Sequence, residues 1–240
     1  MKKIFILNGS RRKEGNTAKF IRSISNKLNE FDVEISHPQD FNIETCVGCH
    51  QCFLKAKCVQ LDDLSLLEEK ILNADLFILA SPVYLHYMSG ELKMILDKFA
   101  WWAHTLRLQG KPVVLLSTCS TNGQDSVIKP LGEIMNFMGG NVIATANASS
   151  ALDQLNNPDW IKEVSEEIVK RIKQSIEEPP QSNSFLENIF TGMKIMMQGQ
   201  AAYLVENDME KEELGELKFW ENSGMIEFKT FSDYLKHKYQ

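Results

Sequence analysis

Lys3-Ile4-Phe5-Ile6-Leu7-Asn8-Gly9-Ser10-Arg11-Arg12-Lys13-Glu14-Gly15-Asn16-Thr17 decides the fold. Its first half, Lys3 to Asn8, is a short apolar run of the kind that forms a strand buried on both faces of a parallel sheet. The run stops at Gly9-Ser10 and gives way to a polar, glycine-containing loop. A helix then begins, with Phe20, Ile21, Ile24 and Leu28 on one face. A strand that feeds a hydroxyl- and amide-rich loop opening a helix suits a phosphate cradle, because the helix N-terminus offers free N–H groups and partial positive charge. Ser10, Asn16 and Thr17 add side-chain donors, and Arg12 adds charge. Plain helix capping by Asn16 or Thr17 uses the same residues. The loop lacks both the G-K-[ST] ending of a Walker loop and the G-x-G-x-x-G pattern.

The strand, loop and helix pattern repeats outward from this start. Val33 to Ile35 reads as a second strand, and Leu61-Asp62-Asp63-Leu64 leads into a helix through about Asn73. Asp75 to Ala80 is a third strand, followed by the loop Ser81 to Gly90 and a helix from Glu91 to about Ala103. Lys111 to Ser117 is a fourth strand, followed by Thr118 to Gly123 and a helix over about Ser126 to Met138. Gly139-Gly140 stops that helix, and Asn141 to Ala146 is the fifth strand. Asn157-Pro158-Asp159 carries cap, first-position proline and first-turn acid for a last helix, whose apolar stripe is Trp160, Ile161, Val164, Ile168, Ile172 and Ile176. Five strands alternating with five helices predict a doubly wound parallel α/β sheet. Ligands of such sheets sit beyond the carboxyl ends of the strands, and the loops after strands one, three and four would converge there.

The organisation expected is a unit over 1–178 and an extension over 179–240. Glu177 to Ser184, with Pro179-Pro180, reads as a linker. Phe185 to about Gln198 is an amphipathic segment with Met193, Met196 and Met197, and Leu217 to Tyr239 is rich in aromatics and mixed charge. The extension reads as helical, packing on the first unit or on a second subunit; a specific partner surface is the alternative. Across 240 residues the hydrophobic content is 43%, the charged content 24% and the net charge −6, with a pI near 5.5. Such a balance lacks the basic footprint of a nucleic-acid binder. The N-terminus has no signal-peptide pattern, and no run approaches the length of a membrane helix. A cytoplasmic location is expected, where a cysteine cluster holds metal or does redox work rather than forming disulfides.

That cluster is Cys46-Val47-Gly48-Cys49-His50-Gln51-Cys52-Phe53-Leu54-Lys55-Ala56-Lys57-Cys58, spaced C-x2-C-x2-C-x5-C and containing four of the chain's five cysteines. A structural zinc site prefers two ligand pairs a dozen or more residues apart, which this run does not match. A redox-active C-x-x-C pair is a further reading. Gly48 permits a positive φ and close approach of backbone to sulfur. His50 reads as a neighbour rather than a ligand, and Cys119 as a small loop residue. His86, Tyr87 and His104 read as surface residues that could reach a substrate. No Ser/His/Asp set stands out, and no residue is assigned as catalytic.

Taken together, Asn8-Gly9-Ser10-Arg11, Gly15-Asn16-Thr17, the cysteine loop, Asp62-Asp63, Ser81-Pro82-Val83-Tyr84, Leu92-Lys93 and Asp97-Lys98 resemble the NADPH-dependent FMN reductase branch of the flavodoxin-like superfamily. More closely, residues 1–176 resemble the iron–sulfur flavoproteins, whose compact cysteine motif has this spacing. Phe219 to Gly224 is weakly similar to the ending of longer members. The resemblance implies a flavodoxin-like five-stranded parallel sheet of order 2-1-3-4-5 with a helical C-terminal extension. It implies that Ser10, Arg12, Asn16 and Thr17 bind the FMN phosphate and ribityl chain. Pro82, Val83, Tyr84 and Leu85 would line the isoalloxazine, and Ser117, Thr118, Ser120 and Gly123 would close its other side. Cys46, Cys49, Cys52 and Cys58 would ligate a [4Fe-4S] cluster, since the fourth cysteine has no second cluster to serve. Thr118 to Gly123 is less glycine-rich than the matching loop of several relatives.

The function implied is an FMN oxidoreductase with a [4Fe-4S] cluster, moving electrons between NAD(P)H or ferredoxin and a small, quinone-like acceptor, as a homodimer or homotetramer. One alternative is an NAD(P)H-dependent FMN or quinone reductase whose cysteines are empty or bind zinc. Another is a non-catalytic redox carrier or sensor that docks a partner through 185–240.

Overall fold

The computed structural model describes residues 1–123, 125–208 and 214–239. Its sheet is built from β1 (Lys3–Asn8), β2 (Asp32–Ser36), β3 (Leu76–Pro82), β4 (Pro112–Cys119) and β5 (Asn141–Ser149). All pairings are parallel, and the order is β2-β1-β3-β4-β5, which is the flavodoxin-like arrangement.

Period-two alternation divides the strands between two cores. Phe5, Leu7, Phe77, Leu79, Val113 and Leu115 point to one face. Ile4, Ile6, Leu76, Ile78, Val114 and Leu116 point to the other. The first face is covered by α3 (Leu64–Asn73), α4 (Gly90–Lys98), α5 (Ala100–Thr105) and α6 (Asp125–Phe137). The second is covered by α1 (Asn16–Ser25) and α7 (Pro158–Glu177), through Phe20, Ile21, Ile24, Ile168 and Ile172. β2 is one edge of the sheet, with Ile35 partly in solvent.

Several elements differ from the sequence expectation. A short helix, α2 (Gln51–Lys55), interrupts the cysteine loop. The helix expected over 91–103 is two: Phe99 ends α4 and starts α5, where the fully buried Trp101 and Trp102 turn into the core. The third strand continues through Ser81-Pro82 and the fourth through Thr118-Cys119, because Ser81 pairs with Ser117 and Pro82 with Thr118. Hydrophobicity ends before the ladder does, so a strand tip of small polar residues reads as loop.

The extension is helical: α8 (Ser184–Glu206), α9 (Gly215–Asn222) and α10 (Phe231–Tyr239). Asn183 caps α8 with its side-chain oxygen, as Asn157 caps α7. Phe190, Leu217, Trp220, Phe231 and Tyr234 form a third apolar cluster that also takes in Leu106, just after α5. The Glu187 carboxylate accepts from the N–H groups of Phe231 and Ser232, both at 2.9 Å, and so holds the start of α10. α8 runs eight residues beyond the expected end at Gln198 (206 against 198), because Leu204 is drawn into that cluster. Residues 209–213 and 240 of this extension lie outside the described residues.

Gly139 ends α6 in the left-handed region, with φ +86, and a methyl group there would lie 2.6 Å from the Leu106 carbonyl oxygen. Strain and clash act together at this position, so Gly139→Ala is expected to cost about 2 kcal/mol or more, read as a lower urea midpoint with an unchanged denaturant slope.

Candidate functional site

The carboxyl ends of β1, β3 and β4 come together, and their loops are tied to one another. At the end of β1, Asn8 is fully buried; its Oδ1 accepts from Ser10 N at 3.2 Å, and its amide nitrogen has no hydrogen-bond partner. Ser10 is buried, and its carbonyl meets His37 Nδ1 at 2.7 Å. α1 begins at Gly15 without a side-chain cap. The capping alternative is therefore not realised: Thr17 Oγ1 meets Thr118 Oγ1 at 2.7 Å, and Asn16 donates to Ser150 Oγ at 2.8 Å. The first-turn N–H groups of α1 keep the partial positive charge that an uncapped terminus presents. Arg11, Lys13 and Arg22 are each paired, to Glu91, Asp40 and Glu14. Arg12 is exposed and has no ion-pair partner among the described residues. A buried orphan donor, an uncapped helix start and an uncommitted guanidinium around one loop fit an anionic, phosphate-bearing group.

The loop after β3 is shaped by its own turn. Tyr84 and Tyr87 exchange N–H···O=C bonds of 2.8 and 3.0 Å. Leu85 and His86 between them both have positive φ, 46 and 60. Non-glycine residues at both positions are costly, and such strain concentrates at functional sites. The turn lifts Leu85 almost completely into solvent and leaves Tyr84 and Tyr87 exposed. Val83 N donates to Thr118 O at 2.8 Å, and Gly123, φ +88, lies against Val83 and His86. The 81–90 and 117–123 loops are thus in contact. Ser89 Oγ donates to Gly9 O at 2.5 Å and caps α4 at Leu92 N, which joins the first loop to the second.

Of the residues singled out from sequence, Ser10, Asn16, Thr17, Pro82, Val83, Thr118 and Gly123 belong to this connected edge. Ser120 is exposed beside it, its carbonyl accepting from Ser149 Oγ. Ser117 is fully buried and donates to Asn147 Oδ1 at 2.5 Å, while Asn147 donates to Cys119 Sγ at 3.6 Å. Asn8, His37, Ser89 and Ser150 were not singled out. Ser89, placed just before a helix, carries a cap signal; His37 and Ser150 are joined to the site only by the fold.

The cysteine loop is closed at its neck by a buried ion pair. Lys98 Nζ bonds Asp62 Oδ2, and neither side chain has any exposed surface. Asp62 also accepts from Glu44 N and Leu64 N, and Asp63 accepts from Asn42 N at 2.7 Å. Burial pushes the Asp62 carboxyl up, but Lys98 and the two amides outweigh it and hold it below the usual range. Beyond the neck the loop runs along α4 to α5 and α9: Thr45 Oγ1 lies 3.6 Å from Met94 Sδ, the Phe53 ring stacks on His104 at 5.0 Å, and Gly215 touches the Leu54–Ala56 backbone.

Cys46 and Cys49 are exposed, Cys52 and Cys58 half-buried. Burial, and then the charges that Cys58, Cys46 and Cys49 would carry, push the Cys52 thiol up. The other three are therefore within electrostatic reach of Cys52. Among the described residues, no three His, Cys, Asp or Glu side chains meet in metal-holding geometry. The donor set itself, four thiols on a loop bent by left-handed Gly48, His50 and Ala56, has the chemistry of an iron–sulfur site. No helix among the described residues is long and apolar enough to cross a membrane.

Residues 2–154 match the model of the NADPH-dependent FMN reductase family, and the chain belongs to that family. An iron-sulfur flavoprotein of Archaeoglobus fulgidus is 37% identical over 113 residues, 46% of this chain and 51% of that protein. The chain thus matches only about half the length of that relative. An iron-sulfur flavoprotein of Methanocaldococcus jannaschii is 32% identical over 139 residues, 56% of this chain and 70% of that protein. Among solved structures, RosB with a bound 8-demethyl-8-formylriboflavin-5′-phosphate intermediate aligns with a TM-score of 0.61 at 16% identity, covering 88% of this chain and 89% of that one. An apo NADH:FMN oxidoreductase aligns at 0.53 and 20% identity, covering 72% and 90%. At these identities the structural likeness speaks for the fold.

Removing one partner of a buried ion pair strands the other charge. Lys98→Met is accordingly expected to lose about 3–5 kcal/mol in urea unfolding. The lowered Asp62 carboxyl contributes stability above its unfolded value, near 3.9, that is lost as pH falls through its folded value. The acid limb of wild-type stability should flatten in Asp62→Asn, and an unchanged limb would assign acid sensitivity elsewhere.

Proposed function

We propose that this chain is an FMN-dependent oxidoreductase carrying a [4Fe-4S] cluster, which moves electrons between NAD(P)H or ferredoxin and a small, quinone-like acceptor. The observation that carries the flavin part is the cross-linked polar edge, joined through Thr17 and Thr118, in a chain of the FMN reductase family. The cysteine spacing supports the cluster, as does the naming of similar proteins as iron-sulfur flavoproteins.

Ser10, Arg12, Asn16 and Thr17 would hold the phosphate and ribityl chain, with the uncapped start of α1 contributing its N–H groups. Pro82 to Leu85 would line the ring on one side, with Ser117, Thr118, Ser120 and Gly123 on the other. Pro82 brings no N–H that needs a partner, and Val83 N is already used by Thr118 O, so this wall can meet a ring without stranding a donor. Cys46, Cys49, Cys52 and Cys58 would ligate the cluster, with the loop drawing its thiols together on binding. Flavin accepts electrons as a pair and releases them singly, and a cluster passes them singly, so the two together convert one mode into the other.

Residues 1–178 form the flavin-binding unit in this reading, and 179–240 its extension. Exposed apolar side chains, Val47 and Leu61 on the cysteine loop and Tyr84 and Leu85 on the strained turn, suit burial in a homodimer or homotetramer.

Anaerobically purified protein should contain about one FMN per chain and about four iron and four sulfide, with absorbance at about 400 nm that bleaches with dithionite. Cys49→Ser should lose iron and sulfide while keeping FMN. Zinc without sulfide would overturn the cluster and leave a plain FMN reductase; failure to take up added FMN would overturn the whole reading.

A further inference from the structure

The short helix α2 sits in the middle of the cysteine loop and buries none of its own residues. Both of its ends are held by non-glycine residues in the left-handed region, His50 at φ 58 and Ala56 at φ 47. A five-residue helix with unfavourable ends does not hold its shape unaided. Part of its support comes from a stretch of the chain more than 150 positions later.

Gly215, the first residue of α9, lies directly on its backbone. A methyl group at Gly215 would fall 2.5 Å from Leu54 O, 2.7 Å from Ala56 N and 2.7 Å from the Lys55 carbonyl carbon. These are backbone atoms, so the clash has no flexible side chain to relieve it. A second contact runs beside the first. Phe53 stacks on His104, whose Nδ1 lies 2.9 Å from Glu216 Oε2. A third contact fixes α9 itself: Trp220 Nε1 donates to His104 O at 2.8 Å, and Leu217 and Trp220 are fully buried. One residue of α5 therefore joins the cysteine loop to α9 through its ring and through its carbonyl.

We infer that α9 is a clamp on the cysteine loop: Gly215 and the Phe53–His104–Glu216 contact are positioning residues that hold α2, and with it Cys52 and Cys58, in the conformation that receives the cluster. The inference rests on the reading of this loop as the cluster site. It gives the extension a role within its own chain, as against docking a partner. Cys52, Phe53, Ala56 and Cys58 pack on the first core face, so α9 presses the half-buried side of the loop against the sheet layer.

The test compares wild type, Gly215→Val and, as a control, Gly192→Ala, a site in the same extension with no atom near the added methyl. Bound FMN and circular dichroism report the fold. Iron and sulfide per chain report the cluster. Alkylation of the apo protein, followed by mass spectrometry, reports the opening of Cys52 and Cys58 with no metal present. Gly215→Val should keep FMN, lose iron and sulfide at least about threefold, and alkylate at Cys52 and Cys58 about threefold faster or more, as weakened local protection requires. Gly192→Ala should match wild type. Should Gly215→Val fail to fold, His104→Ala, which removes the stacked ring and leaves the glycine contact, should move alkylation in the same direction. Unchanged alkylation in the folded variant overturns the clamp. If wild type itself holds no iron or sulfide, the cluster reading falls, and the alkylation rates alone decide whether α9 holds the loop.

Discussion

A sheet in which every strand is parallel has two apolar faces to cover and one end at which all the strands finish. The rest of this molecule follows from that constraint. Helices must return along both faces, so the apolar residues of each strand divide by alternation between the core under α3 to α6 and the core under α1 and α7. Each return places a loop at the carboxyl edge and starts a helix there. The edge collects strand-end polar groups and helix N-termini without any residue being placed for that purpose. The edge is bound together from Thr17 to Thr118, Ser89 to Gly9, Val83 to Thr118, and Asn16 to Ser150. Each bond crosses between loops distant in sequence. The site is therefore held by the sheet rather than by any one loop, which is the preorganisation that a tightly bound cofactor requires.

The cysteine loop is a different kind of problem. It lies between β2 and α3, and none of its residues from Cys46 to Cys58 is fully buried, so packing on the α/β frame alone does not fix it. Two devices hold it. At the neck, Lys98 and Asp62 are buried together, and the remaining acceptor capacity of Asp62 and Asp63 is spent on backbone amides of Asn42, Glu44 and Leu64. A buried pair of this kind contributes little net stability against an apolar substitute, but its loss is costly, so it specifies one geometry more than it strengthens the fold. At the far end, the contacts with α5 and α9 reach the loop from outside. A loop of four thiols that is held only at its neck would be free to sample many thiol separations. Support at both ends narrows that range.

The fold was legible in the sequence because burial on both faces makes each strand an unbroken apolar run, and because Gly9, Gly139 and Asn157 punctuate the runs. The strand ends were less legible. Ser81, Pro82, Thr118 and Cys119 continue their ladders, yet they read as loop because a pairing partner, rather than apolar content, keeps them extended. Much of the polar edge was legible from residue type: Ser10, Asn16, Thr17 and Thr118 stand where loop chemistry placed them. Asn8, His37 and Ser150 were not, since each becomes part of the edge only through a neighbour far along the chain. The break at Phe99 is illegible for a related reason: Trp101 and Trp102 continue the helical stripe, and the end of α4 at Phe99 is seen only in the folded chain.

The extension carries the same lesson to its limit. Its Met193, Met196 and Met197 stripe and its aromatic tail predict helices that pack somewhere, and the amphipathic pattern does not name the partner. Leu106 supplies the answer, because it follows α5 and enters the cluster of Phe190, Leu217 and Trp220. Once that cluster fixes α9, the position of Gly215 against the Leu54–Ala56 backbone is determined. A residue with no side chain is the least informative letter in a sequence read for chemistry, yet here its lack of a Cβ lets two backbones meet. That meeting depends on the apolar residues Leu217 and Trp220, which anchor α9 in its cluster.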